Sequence, residues 1–425
     1  MYRQGTFVSY KKVMKKVLTV LLTLLLSCCL FGCGSSNGGD NQETGNSDDL
    51  SGQTLKIGYF GLLTNSDNIM NVDIINMFID KWNKEGTLYN ANVELIKYDN
   101  ANNGEQDTEM SIKCAQKLIY NDGVQIIIPA QLSNIIQATG EIINEANILD
   151  IGLGLSPTWM EQGWDYVYRP ALNNNYQVPS FTKTMLELGQ KNISLIYQNT
   201  DNCLTFRDSF KKAAEEANLN IVSEQMTEYN GGAGITGQIT SAVNANPDCI
   251  FITAMGLEFG TMIKQIRQAG YKGMIYIGQP LTTSEVDSIG DEEVNGVVFC
   301  APYIVYETLE DCDNDLQKGL LQQYKDAYGA LPPNDMFYKT CDAMLLIEKA
   351  VLAAKSLDPQ KLQAVISTLK FEGCGGTMDF TTGSNECYFS ARPWVYTGQG
   401  NGGKPVLLNS WLETDLAKAI NLKAE

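Results

Sequence analysis

Side chains able to do chemistry are unevenly supplied in this 425-residue chain, which has eleven cysteines, 49 acids and no histidine. Without imidazole there is no Ser-His-Asp or Cys-His nucleophilic pair, no His-ligated zinc and no imidazole acid–base catalysis. A catalyst would need a Cys, Ser-Lys or paired-carboxylate centre, and no spacing in the chain points to one. Two segments imitate sites. Gly232-Ala233-Gly234-Ile235-Thr236-Gly237 has the Gly-x-Gly-x-x-Gly pattern ahead of a helix, with Glu258 about 20 residues on, and would read as a dinucleotide fingerprint at the first turn of a βαβ unit. It falls in the middle of a unit after an acid-bearing loop, where a plain loop-to-helix entry accounts for it. Asp311-Cys312-Asp313-Asn314-Asp315 begins like a calcium loop, but Leu316 stands where glycine is required and Gln322 where glutamate should coordinate. A solvated acidic loop suffices, and neither cofactor nor metal is implied. The balance of 31 basic against 49 acidic residues argues against nucleic-acid binding and against electrostatic docking on anionic lipid.

The basic residues at the start have a separate purpose. Arg3, Lys11, Lys12, Lys15 and Lys16 precede the apolar run Val17 to Leu26 with no acid among them, the layout of a secretory signal. Met14-Lys15-Lys16 stands immediately before that run, which makes Met14 the candidate true start. Leu30-Phe31-Gly32-Cys33 resembles a bacterial lipobox, in which the cysteine is thioether-linked to diacylglycerol and becomes the first mature residue; two acyl chains give stable anchoring. Leu25-Leu26-Ser27-Cys28 is a second match, but the polar Gly-Ser-Asn linker begins only after Cys33. The reading is therefore a signal peptide over 1–32 and a lipid-anchored flexible linker over 33–52, placing the body outside the cytoplasmic membrane. An uncleaved span is the alternative; Val17 to Phe31, interrupted by Thr19, Thr23 and Ser27, falls short of the ~20 residues a bilayer requires. Cleavage would leave 26 basic residues against 49 acids, and eight cysteines besides the lipidated Cys33. In an exported chain these permit disulfides, and the pair Cys374–Cys387, flanking a short Gly-Thr-rich segment, is the first candidate. Cys300–Cys312 is the second, while Cys249 inside an apolar strand reads as a buried thiol.

From Gln53 onward short β-branched runs alternate with stretches of helical period, the pattern of parallel βαβ units. Leu55–Tyr59, Val93–Ile96, Val124–Ile128 and Ile148–Ile151 read as strands, with helices near 69–82, 105–120 and 132–146 between them. After Asn173-Asn174-Asn175 the pattern restarts, with strands Ile193–Tyr197, Leu219–Val222, Cys249–Ile252, Met274–Ile277 and Gly296–Ala301. The helices of this second unit fall near 176–188, 203–217, 235–246 and 257–268. Helices near 315–328 and 335–356 and a short β region at 377–380 follow. The length and the 44% apolar content allow two cores, and the pattern gives two doubly wound α/β sheets with helices on both faces.

This order resembles the type I periplasmic binding proteins, the venus-flytrap architecture, and within them the branched-chain amino-acid receptors of ABC transporters. The resemblance is carried by Lys56-Ile57-Gly58, Gly123-Val124 to Pro129, Tyr168-Arg169-Pro170, Ser209-Phe210-Lys211-Lys212-Ala213-Ala214-Glu215-Glu216-Ala217, Asn246-Pro247-Asp248, Ile263 to Gly270, and Phe371-Glu372-Gly373 with Gly376-Thr377-Met378-Asp379-Phe380. It covers about 54–410. The resemblance implies three crossings between lobes, near Leu172, Ala301 and Phe380. Lobe 1 is then 53–171 plus 302–379 and lobe 2 is 172–300 plus 380–425, with a small ligand in the cleft between them. It further implies a monomeric, non-enzymatic receptor that hands its ligand to a membrane permease, or alternatively one that signals its closed state to a membrane partner.

Cleft positions are the loops just past strand ends. On lobe 1 these supply Asn65, Ser66, Gln131, Ser133, Leu153, Leu155 and Ser156; on lobe 2, Asn174, Gln198, Asn202, Met255 and Gln279. Ser133 matches the family's carboxylate-binding serine and also sits where a helix N-cap is due. Where the family usually shows Ala-x-Thr, this chain has Leu153-Gly154-Leu155, leaving backbone N–H groups unless Ser156 substitutes. The acid that typically receives an ammonium is replaced by Gln279-Pro280, and the aspartate opening lobe 2 is Asn174. The inferred cleft thus lacks the family's acids, which opens the ligand class from amino acids to amides and related small organic solutes. Trp159 and Trp164, just past a cleft strand, could stack on a ligand or lie in the core.

Overall fold

The computed structural model describes residues 49–228, 234–255, 258–312, 314–387, 389, 391–398 and 403–422. The signal peptide, Cys28, Cys33 and the linker up to residue 48 lie outside the described residues, as do 229–233, which include Gly232 and Ala233 of the glycine-rich motif, and Asp313 of the acidic loop.

Two parallel sheets organise the chain. The first contains β1 (Thr54–Gly61), β2 (Asn92–Asp99), β3 (Ile126–Ile128), β4 (Leu149–Ile151) and β5 (Val167–Tyr168) in the order β2-β1-β3-β4-β5, all parallel. The second is built from β6 (Asn192–Gln198), β7 (Asn220–Thr227), β8 (Cys249–Thr253), β9 (Met274–Ile277) and β10 (Val297–Ala301), again parallel. A hairpin of β11 (Lys370–Gly373) and β12 (Gly376–Asp379) stands apart from both. The last two strands, β13 (Arg392–Tyr396) and β14 (Pro405–Leu407), join the second sheet antiparallel beside β10, for the order β14-β13-β10-β9-β8-β6-β7.

Both sheets are covered on two faces because their strands are apolar on both. In β1 and β3, Ile57, Tyr59, Ile126 and Ile128 point into one core while Phe60 and Ile127 point into the other. In the second sheet Ile250, Ile252, Ile275 and Ile277 face one layer of helices, and Cys249, Phe251, Met274 and Tyr276 face the opposite one. Side chains alternate along a strand, so continuous apolar runs demand cover on both sides. Edge strands show the contrast: β7 alternates exposed and half-buried residues along nearly its whole length. Helices are bounded by local chemistry. Ser66–Glu85 starts at Asn65, whose side chain accepts from the N–H groups of Asp67 and Asn68, and ends at Gly86 with φ 65°.

The C-terminal third returns to the first sheet. Helices Asp315–Tyr328, Met336–Ala354 and Pro359–Ile366 pack into its core through Leu320, Leu321, Leu346, Leu362 and Ile366. Trp82 donates to Glu348 at 2.8 Å, tying Ser66–Glu85 to Met336–Ala354. The lobes are linked by three segments. Arg169 bridges Glu386 in a parallel β-bridge, so the first and third links run side by side. At the second, Tyr303 belongs to the first core, Ile304 to the second, and Tyr306 packs against both. Phe380, Cys387 and Phe389 all lie in the first core, and the chain next meets the second sheet at Arg392.

The disulfide expected between Cys374 and Cys387 is not formed: the eight cysteines of the body are all buried free thiols, Cys300 and Cys312 included. Cys374 instead shares a side-chain hydrogen bond with Cys341. Trp159 is fully buried and its ring lies 4.7 Å from the Arg169 guanidinium, so it belongs to the interior and cannot stack on a cleft ligand.

Asp150 is a polar intrusion in this interior. It sits in β4 between Ile127 and Val167, is fully buried, and neither carboxylate oxygen has a hydrogen-bond partner. Burial alone pushes its pKa up to about 8. The native state therefore keeps a proton that the unfolded chain releases above 3.8, and this contribution to stability is lost as pH rises through the folded value, at up to about 1.4 kcal/mol per pH unit. Asp150→Asn is expected to melt close to the unsubstituted protein near pH 4.5 and progressively higher than it toward pH 8.5. Thermal melts across that range check the difference, and a pH-independent gap would reject the assignment.

Candidate functional site

Because the strands of each sheet's interior run parallel, the loops after β1, β3, β4, β6, β8 and β9 all emerge from carboxyl ends. These edges are where open α/β sheets bind ligands. On the first lobe the loops after β3 and β4 are pressed together. A Cβ on Gly154 would lie 2.8 Å from Ser133 Oγ and 3.2 Å from the Gln131 carbonyl, so only glycine fits that approach. Ser133 is the first residue of the helix Ser133–Glu145, while Leu132 holds the cap position without a capping side chain. Ser133 does not serve as the cap; its Oγ accepts the Ser156 N–H at 3.2 Å. Gln131 is half-buried, and its Nε2 is sealed from solvent without an acceptor.

Ser156 does not offer a free hydroxyl in place of the missing threonine. It is fully buried, with Oγ 2.9 Å from Thr158 Oγ1 and its carbonyl accepting from Arg169 at 2.6 Å. Leu153 faces the first core, and Leu155 is half-buried, its carbonyl accepting the Asn174 N–H at 3.0 Å. Asn65 and Ser66 are exposed; Asn65 spends its side-chain oxygen on capping, at 2.9 Å from Asp67 N.

On the second lobe the residues expected from the strand-end loops form a connected chain. Asn174, the first residue of the helix Asn174–Glu187, donates from Nδ2 to Asn202 Oδ1 at 2.9 Å, and its own Oδ1 is buried without a donor. Asn202 Nδ2 reaches Met255 Sδ at 3.7 Å, and the Met255 N–H donates to Gln198 Oε1 at 2.7 Å. Gln198, fully buried, donates from Nε2 to Glu258 Oε2. Gln279, half-buried, makes no hydrogen bond to this chain of groups, nor do Asn65 and Ser66. Gly256, the other residue of the loop after β8, lies outside the described residues.

Glu258 corrects the view of a cleft without acids. It is buried, 4% exposed, at the start of the helix Glu258–Gln268, directly behind Gln198. A second buried acid, Glu285, accepts from Thr282 N at 2.8 Å. Burial pushes its carboxyl up, the Thr282 hydrogen bonds act against that, and the field of Asp67 from the other lobe adds to the rise. Sequence reasoning missed both acids because it looked only at the positions matched to the family's acids, Gln279 after β9 and Asn174 at the opening of lobe 2. The available signal was an acid in the first turn of a helix that begins just past a strand, where the helix dipole favours it. Gln177 was missed as well; its Nε2 donates to the carbonyls of Gly278 at 2.9 Å and Cys300 at 2.6 Å, pinning the strand ends.

The set can hold a polar molecule but does not assemble a reaction centre. Ser133 Oγ receives a backbone N–H rather than facing a base. Cys203, at the same edge, is fully buried, and burial raises its thiol pKa. Among the described residues no group of three or more His, Cys, Asp or Glu is placed to hold a metal. A cavity of about 520 Å³ opens where Pro157 and Glu161 meet the helices Asn174–Glu187 and Asp201–Glu216.

Comparison with known proteins places this geometry. A family model described as periplasmic binding protein matches residues 55–397. The leucine-, isoleucine-, valine-, threonine- and alanine-binding protein of Pseudomonas aeruginosa is 23% identical over 307 residues, 72% of this chain and 79% of the relative. Among solved structures, the branched-chain amino acid transporter substrate binding protein from Streptococcus pneumoniae, in complex with isoleucine, superposes with a TM-score of 0.69 at 19% identity, covering 83% of this chain and 98% of that one. An ABC transporter solute binding protein of R. palustris in complex with 4-hydroxybenzoate gives a TM-score of 0.72 at 18% identity, covering 84% and 95%.

The hydrogen-bonded chain on the second lobe carries its own test. Gln198→Leu removes the partner of both the Glu258 carboxylate and the Met255 N–H and is expected to cost roughly 1–3 kcal/mol. Gln279→Leu, which breaks no hydrogen bond, is expected to change stability by less than about 0.5 kcal/mol. Urea unfolding of the two variants side by side checks the contrast.

Proposed function

The chain belongs to the periplasmic binding protein family, as a type I member of the branched-chain amino-acid group and not an enzyme, and from this premise we propose that it binds a small polar solute between its lobes and delivers it to an ABC permease. The observation that carries the reading is the pair of unspent buried polar atoms at strand-end positions, the Gln131 Nε2 donor and the Asn174 Oδ1 acceptor. Leaving such a group buried without a partner costs about 1–3 kcal/mol, and a bound polar molecule offsets it.

The ligands named for the relatives above, isoleucine and 4-hydroxybenzoate, share a carboxylate on an apolar body. A carboxylate suits Gln131 and the amino end of the helix Ser133–Glu145, whose first N–H groups lack helical partners. Glu258, Asn174 and Asn202 would receive a hydrogen-bond donor such as an amine or amide from the second lobe. Because the two sets sit on different lobes, a ligand touching both favours the shut form, and closure is the signal a permease reads.

The body would be held at the outer face of the membrane by a diacylglyceryl thioether on Cys33. Labelled fatty acid should enter the protein in cells and be lost in Cys33→Ala; label retained there but lost in Cys28→Ala would move the anchor. For the solute, thermal melts with leucine, isoleucine, valine, their amides, benzoate and 4-hydroxybenzoate should give saturable stabilisation by one class, about 2.7 kcal/mol at a hundredfold excess over Kd. No shift with any of these compounds, and no carried-over solute in native mass spectra of the purified protein, would sink the reading.

A further inference from the structure

The first and third links between the lobes are joined by a buried ion pair that reaches into the cleft. Arg169 is fully buried. Its Nε donates to Glu386 Oε2 at 3.0 Å, and its Nη2 donates to the same oxygen. Its Nη1 turns the other way and donates to the carbonyls of Gly154 at 3.2 Å and Ser156 at 2.6 Å, within the loop after β4. The Trp159 ring lies against the guanidinium face. Glu386 Oε2 also accepts from Asn173 Nδ2 at 2.7 Å, one residue before Asn174. The two links are stitched by backbone as well, Arg169 N to the Asn385 carbonyl at 2.9 Å and Cys387 N to the Arg169 carbonyl at 3.2 Å.

One guanidinium thus contacts three things that must move together or not at all: the third link, the ligand-facing loop after β4, and, through Glu386, the start of lobe 2. We propose that Arg169, held by Glu386, is a positioning residue that sets the shape of the 153–156 loop from the hinge, so that hinge rotation and the ligand-facing surface of lobe 1 form one mechanical unit.

Geometry rather than charge is what this site demands. The Gly154 and Ser156 carbonyls belong to a loop and have no ladder partner, and a planar fork satisfies both while its other edge grips a carboxylate, which a lysine ammonium cannot reproduce. Buried ion pairs can often be exchanged for apolar residues of similar volume without loss of stability, so a stabilising role alone would not need this pair. The inference rests on the solute-binding reading for what the loop is for, but not for how the loop is held.

The test uses Arg169→Lys, Glu386→Gln and the double variant Arg169→Met/Glu386→Leu in the full mature body, with amide hydrogen exchange as the readout. The N–H groups of Ser156 and Asn174, which donate to Ser133 Oγ and to the Leu155 carbonyl, should lose protection at least tenfold in every variant that folds, while the β8 amides Ile250 to Ile252 keep theirs. Loss of protection at Ser156 and Asn174 only in step with β8 would mean a merely structural pair and overturns the proposal, as would unchanged protection. If the arginine variants do not fold, Glu386→Gln, the mildest change, decides by the same criterion. Isoleucine and 4-hydroxybenzoate are the affinity probes: where either stabilises the unsubstituted protein, Arg169→Lys should weaken it at least tenfold. Failure of both probes on the unsubstituted protein speaks against the functional reading and leaves the exchange result to judge the hinge.

Discussion

The structure depends on one directional constraint: the strands that form the interior of each sheet run parallel, so a sheet's functional loops must leave from the same edge. A parallel sheet cannot be closed by hairpins, and most of its crossovers run through a helix, which places a helix amino end beside the carboxyl end of those strands. Everything at the candidate site follows from that arrangement. Ser133, Asn174 and Glu258 each open a helix, and Gln198 is the last residue of a strand. The two antiparallel strands, β13 and β14, are appended at the edge beside β10 and leave the converging ends undisturbed.

Much of this order was legible because burial on both faces writes continuous apolar runs, and because helix ends carry their own signals. Met274–Ile277 and Asp315–Tyr328 are read from sequence with their observed bounds. The misses have physical causes. β5 is two residues long and carries no period. β13 contains Pro393, which argues against a strand until one sees that it pairs with Cys300 on one side only, ahead of the residues that meet β14. The helix Pro359–Ile366 begins at a proline that a reader takes as a stop, although Asp358 caps it and proline suits the first turn. At the site, the rule that cleft residues follow strand ends brought Gln131, Ser133 and Ser156 onto one side and Asn174, Gln198, Asn202 and Met255 onto the other. It could not say which way a hydroxyl turns. Ser156 points to Thr158, and Ser133 receives a neighbour's N–H, because both outcomes depend on contacts between loops distant in sequence.

The chemistry of the second-lobe face is more amide than ionic. Of its connected groups, Asn174, Asn202 and Gln198 are carboxamides, and the single carboxylate among them is met by an amide donor. Amides both give and accept hydrogen bonds and carry no charge to desolvate, so such a face can be buried at low cost and can meet ligands of more than one polarity pattern. The acidity of the chain is mostly a matter of its surface, and two of its interior carboxylates, Asp150 and Asp342, are pushed toward neutrality, to about 8 and about 7.

The buried thiols have one more consequence. Each of the eight cysteines in the body is buried, none in a disulfide, and small secreted domains that rely on disulfides do so because their cores are too small to hold them together. Here large apolar cores do that work, so the described body needs no disulfide-forming step, and none of its eight thiols is exposed to an oxidant or a soft metal. A body of this kind would fold to the same end in aerated and in strictly anoxic surroundings.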